Sequence, residues 1–174
     1  MFEKKNNERI KEIFFENPSK VYSLREIART LKISPSNVHL IIRGLAKEGL
    51  ISRKKKGNIG ELQAKREEIF IWQKKLYNLS QVYSSGLKIF LEREYGHPEA
   101  IILFGSYSRG EDTETSDIDL AVATTKKLSL NLTLYEKKLK RKISIHEITL
   151  EKVSEEFLNN LANGLVITGY LKIK

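Results

Sequence analysis

The sequence predicts an α/β chain overall, of the α+β type, divided into two domains, and three observations carry that expectation. Charge is segregated: residues 1–66 hold 16 Lys/Arg against 7 Asp/Glu, whereas residues 67–174 hold 15 of each, so the whole net charge of +9 sits in the first third. Helical periodicity dominates as far as residue 95, interrupted by one hairpin-like stretch over residues 50–65. Beyond residue 99 the pattern changes to short apolar runs of strand length, Ala100–Phe104 and Ile118–Val122, separated by turn residues.

Length and composition narrow the alternatives. A chain of 174 residues accommodates one ordinary domain or two small ones. It contains no cysteine, which excludes disulfides and cysteine-based zinc or redox sites. No apolar run approaches the length of a membrane span, and residues 1–7 do not read as a signal peptide. A soluble, cytoplasmic protein without a membrane partner is expected. Charge asymmetry of this kind points to nucleic-acid contact by the basic part.

In the basic third, Asn7 to Asn17 reads as an amphipathic helix with Ile10, Ile13 and Phe14 on one face, stopped by Pro18. Val21-Tyr22 makes a short strand. Ser23-Leu24-Arg25-Glu26 is a capping box that opens a helix running to about Leu31. Ser34 caps a third helix, Pro35 takes its first position and Gly49 is placed to end it. Val38, Ile41, Ile42 and Leu45 recur at helical spacing and should face the core. Leu50 to Lys56, a turn at residues 57–60, and Glu61 to Lys65 then form a hairpin with a basic tip.

Helix, strand, helix, turn, helix, hairpin is an order that resembles the winged helix-turn-helix family over residues 7–66. The resemblance implies double-stranded DNA as partner, with the third helix in the major groove. Its outward residues include Ser36, Asn37, His39 and Arg43, of which Asn37 and Arg43 are suited to bidentate base contacts. Arg53, Lys54, Lys55 and Lys56 on the wing should meet phosphates without reading sequence. The plainer alternatives are a capping role for Asn37, a solvated turn for the lysines and a surface histidine at His39.

Residues 67–95 read as a helical connector, with Trp72, Leu76, Leu79, Tyr83, Leu87 and Phe90 three or four apart and Gly86 as a break. Most simply this stripe is core. A winged helix reading a palindromic site needs a partner, so the same stripe suits a homodimer seam, and the sequence does not choose between them. Gly96-His97-Pro98 then turns the chain into the second domain, residues 96–174.

There the apolar run Ala100–Phe104 ends on Gly105-Ser106, followed by Arg109-Gly110 and by Ser116-Asp117-Ile118-Asp119-Leu120. Side chains alternate along a strand, so Asp117 and Asp119 point the same way and can share a cation. A Gly-Ser turn that opens a helix offers backbone N–H groups and a hydroxyl to phosphate oxygens. Asp-x-Asp alone is common in surface turns, and Gly-Ser alone carries little. Their combination at this spacing, with strands in the right places, suggests nucleoside triphosphate chemistry.

Residues 101–122 resemble the nucleotidyltransferase core of the DNA polymerase β superfamily, and more narrowly the minimal nucleotidyltransferases, whose signature reads Gly-Ser-x-x-Arg-Gly…Ser-Asp-x-Asp-Leu. The resemblance extends over about residues 95–174 and implies a small mixed-sheet fold. It implies Mg²⁺, or Mn²⁺, held by Asp117 and Asp119, and a nucleoside triphosphate, ATP foremost, whose phosphates meet Gly105 and Ser106. Arg109 either reaches the phosphates or clamps the loop by pairing with Glu111 or Asp112.

The family's third carboxylate falls on a later strand, here Ile143–Ile148, where alignment and alternation put His146. A neutral histidine can serve as a general base but is a poor ligand for hard Mg²⁺. Glu147 would reach the site only through a bulge or a register slip. Leu165–Leu171 reads as a last strand, and Lys137–Lys142 as a basic helix end that favours the helix terminus or touches an acceptor nucleic acid. The resemblance implies transfer of AMP to a hydroxyl on an acceptor protein or small molecule. The other reading is a DNA-binding transcriptional regulator whose second domain senses nucleotide or dimerises without catalysis.

Overall fold

A computed structural model describes residues 2–56 and 59–171, with the side chains of residues 5–54 and 60–171. The chain divides into two compact units, Met1–Lys74 and Lys75–Lys174.

In the first unit, α1 (Phe2–Glu16) is followed by β1 (Tyr22–Ser23), α2 (Leu24–Leu31), α3 (Pro35–Lys47), β2 (Ile51–Lys56) and β3 (Ile59–Ala64). The three strands form an antiparallel sheet in the order β1-β3-β2, with Tyr22 opposite Leu62 and Arg53 opposite Leu62 on its other side. Local chemistry explains the boundaries. Ser23 caps α2 by accepting the Glu26 amide at 3.1 Å, and Lys20 pairs with the Glu26 carboxylate at 3.0 Å. Ser34 caps α3 over Pro35 and accepts the Asn37 amide.

The end of α3 is a Schellman turn: the Gly49 amide donates to Ala46 O and the Leu50 amide to Leu45 O, at 3.2 and 2.9 Å. Gly49 has φ +80, where a side chain would be strained. Ile10, Phe14, Ile27, Val38, Ile42 and Leu45 are fully buried, and the Phe14 ring packs edge-on against Tyr22 at 5.3 Å. Two sequence expectations are corrected. The first helix begins well before Asn7, because nothing in residues 2–6 breaks it. Ile59 and Gly60 belong to β3, paired with Lys56 and Lys55, and not to the turn; residues 57–58 lie outside those described.

Helix α4 (Glu68–Ser85) runs across the division between the units, and α5 (Leu87–Tyr95) follows it after Gly86. The second unit then contains β4 (Ala100–Phe104), α6 (Gly105–Arg109), β5 (Ile118–Ala123), α7 (Thr133–Leu139), β6 (Ile143–Ile148), a 3₁₀ turn at Leu150–Lys152, α8 (Glu155–Ala162) and β7 (Leu165–Gly169). The sheet order is β6-β5-β4-β7; β5 and β6 are parallel, the other pairs antiparallel, so the sheet is mixed as expected.

Both faces of this sheet are covered. Ile101, Leu103, Leu120, Val122 and Ile143 pack with Val82, Leu87, Leu91 and Tyr95 from α4 and α5. Ala100, Ile102, Phe104, Ala121 and Ile148 pack on the other face with Leu161 and Phe157 of α8. At about 25 cal/mol per Å² of apolar surface removed from water, this double burial is the main term holding the sheet.

The connector stripe is corrected in part. Leu87 is buried and Leu79 and Phe90 pack on the core, but Trp72, Leu76 and Tyr83 are 56, 65 and 47% exposed. The buried positions of α4 are Phe70, Lys74, Asn78, Val82 and Ser85, three of them polar. Periodicity chose the wrong face because the face that packs carries hydrogen-bonding side chains.

Candidate active site

The site forms where β4 ends and β5 begins. The antiparallel register sets Phe104 opposite Asp119, so the turn after β4 lies against the Asp119 carboxylate. Gly105 has φ +73, and a Cβ built there would stand 2.6 Å from Asp119 Oδ2. Only glycine leaves the carboxylate in place. The short α6 then presents Ser106 half-buried, and the Ser108 hydroxyl holds the turn by donating to Gly105 O at 2.8 Å.

The parallel register brings β6 alongside, with Ser144 opposite Asp119 and His146 opposite Ala121. His146 Nε2 lies 3.7 Å from Asp119 Oδ1. That separation is too long for a hydrogen bond. The nitrogen is nevertheless shut off from solvent and has no hydrogen-bond partner. Leaving such an atom unsatisfied costs about 1–3 kcal/mol, so the position calls for a partner. The rings of Phe104 and Phe157, themselves 5.4 Å apart, pack against the imidazole from one side at centroid distances of 5.3 and 5.8 Å.

Glu147, the carboxylate that would need a slipped register, faces the other way. It accepts the Tyr95 hydroxyl at 2.8 Å and the Leu128 amide at 2.6 Å, with Lys127 Nζ at 3.7 Å. Burial pushes the Glu147 carboxyl up, but those two hydrogen bonds and the Lys127 charge outweigh it and leave it below its usual range. Burial and the bond to Glu147 push the Tyr95 hydroxyl well up. This trio fastens the loop after β5 and takes no part in the site.

Asp117 precedes β5, is exposed, and lines a cavity of about 610 Å³ with Glu136, Lys140 and Lys142. Arg109 Nε donates to Glu111 Oε2 at 2.7 Å, which is the loop-clamping alternative. The basic run is engaged within the unit: Lys138 donates to Ser85 O, Lys142 pairs with Glu136, and Arg141 lies 3.8 Å from Asp112.

Sequence reasoning missed the polar lock behind the turn. Asp112 is 1% exposed; its Oδ1 accepts Asn78 Nδ2 at 2.7 Å, and the same amide donates to Tyr107 O at 2.9 Å. Asn78 and Arg141 thus hold the segment between α6 and β5 from two sides. Asn78 sits within a helix read by its apolar stripe, so no sequence signal marked it.

In the first unit, Ser36, His39, Arg43, Arg53 and Lys54 are exposed. Asn37 is half-buried, and its side-chain oxygen is shut off from solvent without a partner. The side chains of Lys55 and Lys56 lie outside those described.

Among the described residues no three His, Cys, Asp or Glu side chains gather into a ready-made metal cage. What the site offers a cation is the Asp119 carboxylate beside an unsatisfied imidazole nitrogen, next to a glycine cradle that keeps the carboxylate free. Those donors fit an ion whose remaining positions are taken by phosphate oxygens and water.

Residues 87–169 match the family model described as polymerase beta, nucleotidyltransferase. The matched segment starts with the first residue of α5 and ends with the last of β7, and so contains Gly105, Ser106, Asp117, Asp119 and His146 but not Asn78. No curated protein matches the chain. The match and the mixed sheet support a nucleotidyltransferase domain in the second unit, and with it nucleotidyl transfer as the general class of chemistry.

Proposed function

We propose that the second unit transfers a nucleoside monophosphate, AMP foremost, from a nucleoside triphosphate to an acceptor hydroxyl, and that the first unit is a winged helix-turn-helix tethering it to double-stranded DNA. The observation that carries the enzymatic part is the placement of Asp119 against the Gly105 turn inside the matched segment. The acceptor oxygen attacks the α-phosphorus, the bridging bond between the α- and β-phosphates breaks, pyrophosphate leaves, and the hydroxyl proton passes to solvent. Backbone amides at Gly105 and Ser106 and the Ser106 hydroxyl receive the outer phosphates. A divalent cation held by Asp117 and Asp119, Mg²⁺ in the simplest case, neutralises charge on the phosphate oxygens. The acceptor is a protein or a small molecule.

The DNA-binding part is supported by the order of elements from α1 to β3, by the segregated charge, and by exposed Arg43 on α3 with Arg53 and Lys54 on the hairpin. Half-burial of Asn37 leaves Arg43 as the stronger base-edge contact.

One observation favours a second reading. Among the described residues no third carboxylate reaches the site: Glu147 is turned to the opposite face and tied to Tyr95. A DNA-bound regulator that senses nucleotide without transferring it accounts for that. Pyrophosphate release from ATP, followed in fractions of host lysate, separates the two. Release with the wild type and none with Asp119→Asn supports transfer; ATP binding that Asp119→Asn abolishes, without any release, supports sensing; neither binding nor release contradicts both.

A further inference from the structure

We infer that the outward face of α3 selects a thymine through its 5-methyl group, with Leu40 packed on the methyl and Gly44 letting the helix backbone close against the wall of the major groove. The inference rests on the reading of the first unit as a binder of double-stranded DNA and names the base that this unit selects.

Two features of α3 are not accounted for by its own packing. The helix buries Val38, Ile42 and Leu45 completely, yet Leu40 stands 60% exposed. A single exposed leucine says little by itself. Its neighbour one turn on says more. Gly44 lies at i+4 from Leu40, on the same face, inside the helix and exposed. Its backbone is helical, without a positive φ, and a Cβ built there meets nothing within 4 Å among the described residues. Neither backbone geometry nor crowding within the fold therefore asks for glycine, which is the poorest helix former after proline. The remaining circumstance that selects glycine is close approach of the backbone to a ligand, and the space over Gly44 is open to one.

Charge identifies what approaches. Arg43 sits beside Gly44 and three residues from Leu40, Lys47 follows one turn later, and both are exposed. Exposed Arg53 and Lys54 on β2 belong to the same basic unit, whose residues 1–66 carry the whole net charge of +9. A basic helix face with an apolar centre suits a polyanion that offers an apolar group at the bottom of its groove. In the major groove of DNA that group is the thymine methyl, among edges that otherwise present hydrogen-bond donors and acceptors. Leu40 has no polar side-chain atom, so the methyl is what it can recognise. Arg43 reads the polar edge of an adjacent base, guanine O6 and N7 being its best match. Double-stranded RNA fits neither residue, because its major groove is too deep and narrow to read and uracil lacks the methyl.

The test uses the full chain and synthetic duplex DNA. Sites selected from a randomised duplex pool are expected to contain a fixed thymine, and exchanging that thymine for uracil removes its methyl group and nothing else. The wild type should lose affinity about threefold to fivefold on this exchange, the worth of one buried methyl. Leu40→Ala should bind the thymine and uracil duplexes equally, a loss of discrimination that a merely solvated leucine would not produce. Gly44→Ala separates fold from contact. It should raise the melting temperature, because alanine is the better helix former, and weaken binding at least about fivefold, the lower end of what one overcrowded contact costs. Duplex binding that selects no thymine, or a uracil effect that persists in Leu40→Ala, overturns the inference and leaves DNA binding by the first unit intact. Gly44→Ala that binds as tightly as the wild type overturns the close approach. Preference for RNA, or no binding to any duplex at low salt, overturns both the inference and the reading on which it rests.

Discussion

Gly105 is fixed by its neighbour across the sheet. Its φ of +73 and the approach of Asp119 Oδ2 leave no space for a Cβ, so Gly105→Ala has either to move the turn or to displace the carboxylate. The expected cost is about 1–2 kcal/mol in thermal unfolding, from the left-handed backbone alone, together with loss of ATP binding. Unchanged ATP affinity would show that the turn and Asp119 do not act together. Glu147 gives a prediction in pH. Its carboxyl titrates below the unfolded value of 4.5, so the ionised form stabilises the fold; that contribution is complete above pH 4.5 and is lost as pH falls through the folded value. Glu147→Gln keeps an oxygen that accepts from Tyr95 and Leu128 but removes the charge, and is expected to cost about 1 kcal/mol at neutral pH by turning two charge-assisted hydrogen bonds into neutral ones. The difference from wild type should shrink as pH falls below 4.5. A constant difference across that range would mean the charge does not matter.

Elements divide into those whose sequence signals were local and those whose packing was not. The caps at Ser23 and Ser34, the Gly49 turn and the runs Ala100–Phe104 and Ile118–Val122 were legible because each depends on a few adjacent residues. The alternation that put Ser144 and His146 on the site face, and Ile143 and Ile145 on the core face, was equally local. Helix α4 was not. Its apolar stripe points partly outward, while Asn78 is buried to hold Asp112, a contact 34 residues distant that no periodicity encodes. Truncations should show the difference. Leu91→Ala, fully buried on α5, is expected to cost about 2–5 kcal/mol, whereas Leu76→Ala should fall within about 0.5 kcal/mol of wild type. Asp112→Ala, which strips Asn78 of its carboxylate and Arg141 of its counter-charge, should cost about 3–5 kcal/mol in chemical denaturation. A large effect at Leu76 would mean that the exposed stripe is covered in solution.

At the scale of the molecule, the charge asymmetry and the site in the second unit make separate claims. If the first unit holds DNA through phosphate contacts, the logarithm of the binding constant should fall linearly with the logarithm of salt concentration. Arg53→Ala and Lys54→Ala should each reduce that slope by about 1, whatever the DNA sequence. Arg43→Ala should instead erode sequence preference; equal loss on all sequences would place Arg43 on the backbone. The family match covers residues 87–169 and bears on the second unit alone. The central claim there is nucleotidyl rather than phosphoryl transfer, dependent on Asp119. Its most direct test incubates the protein and host lysate with ATP labelled either at the α- or at the γ-phosphate, for wild type and Asp119→Asn. Label from the α-position alone, carried to an acceptor by the wild type and not by the variant, is the expected result. Transfer of the γ-label, or α-label transfer that survives in Asp119→Asn, would contradict the account.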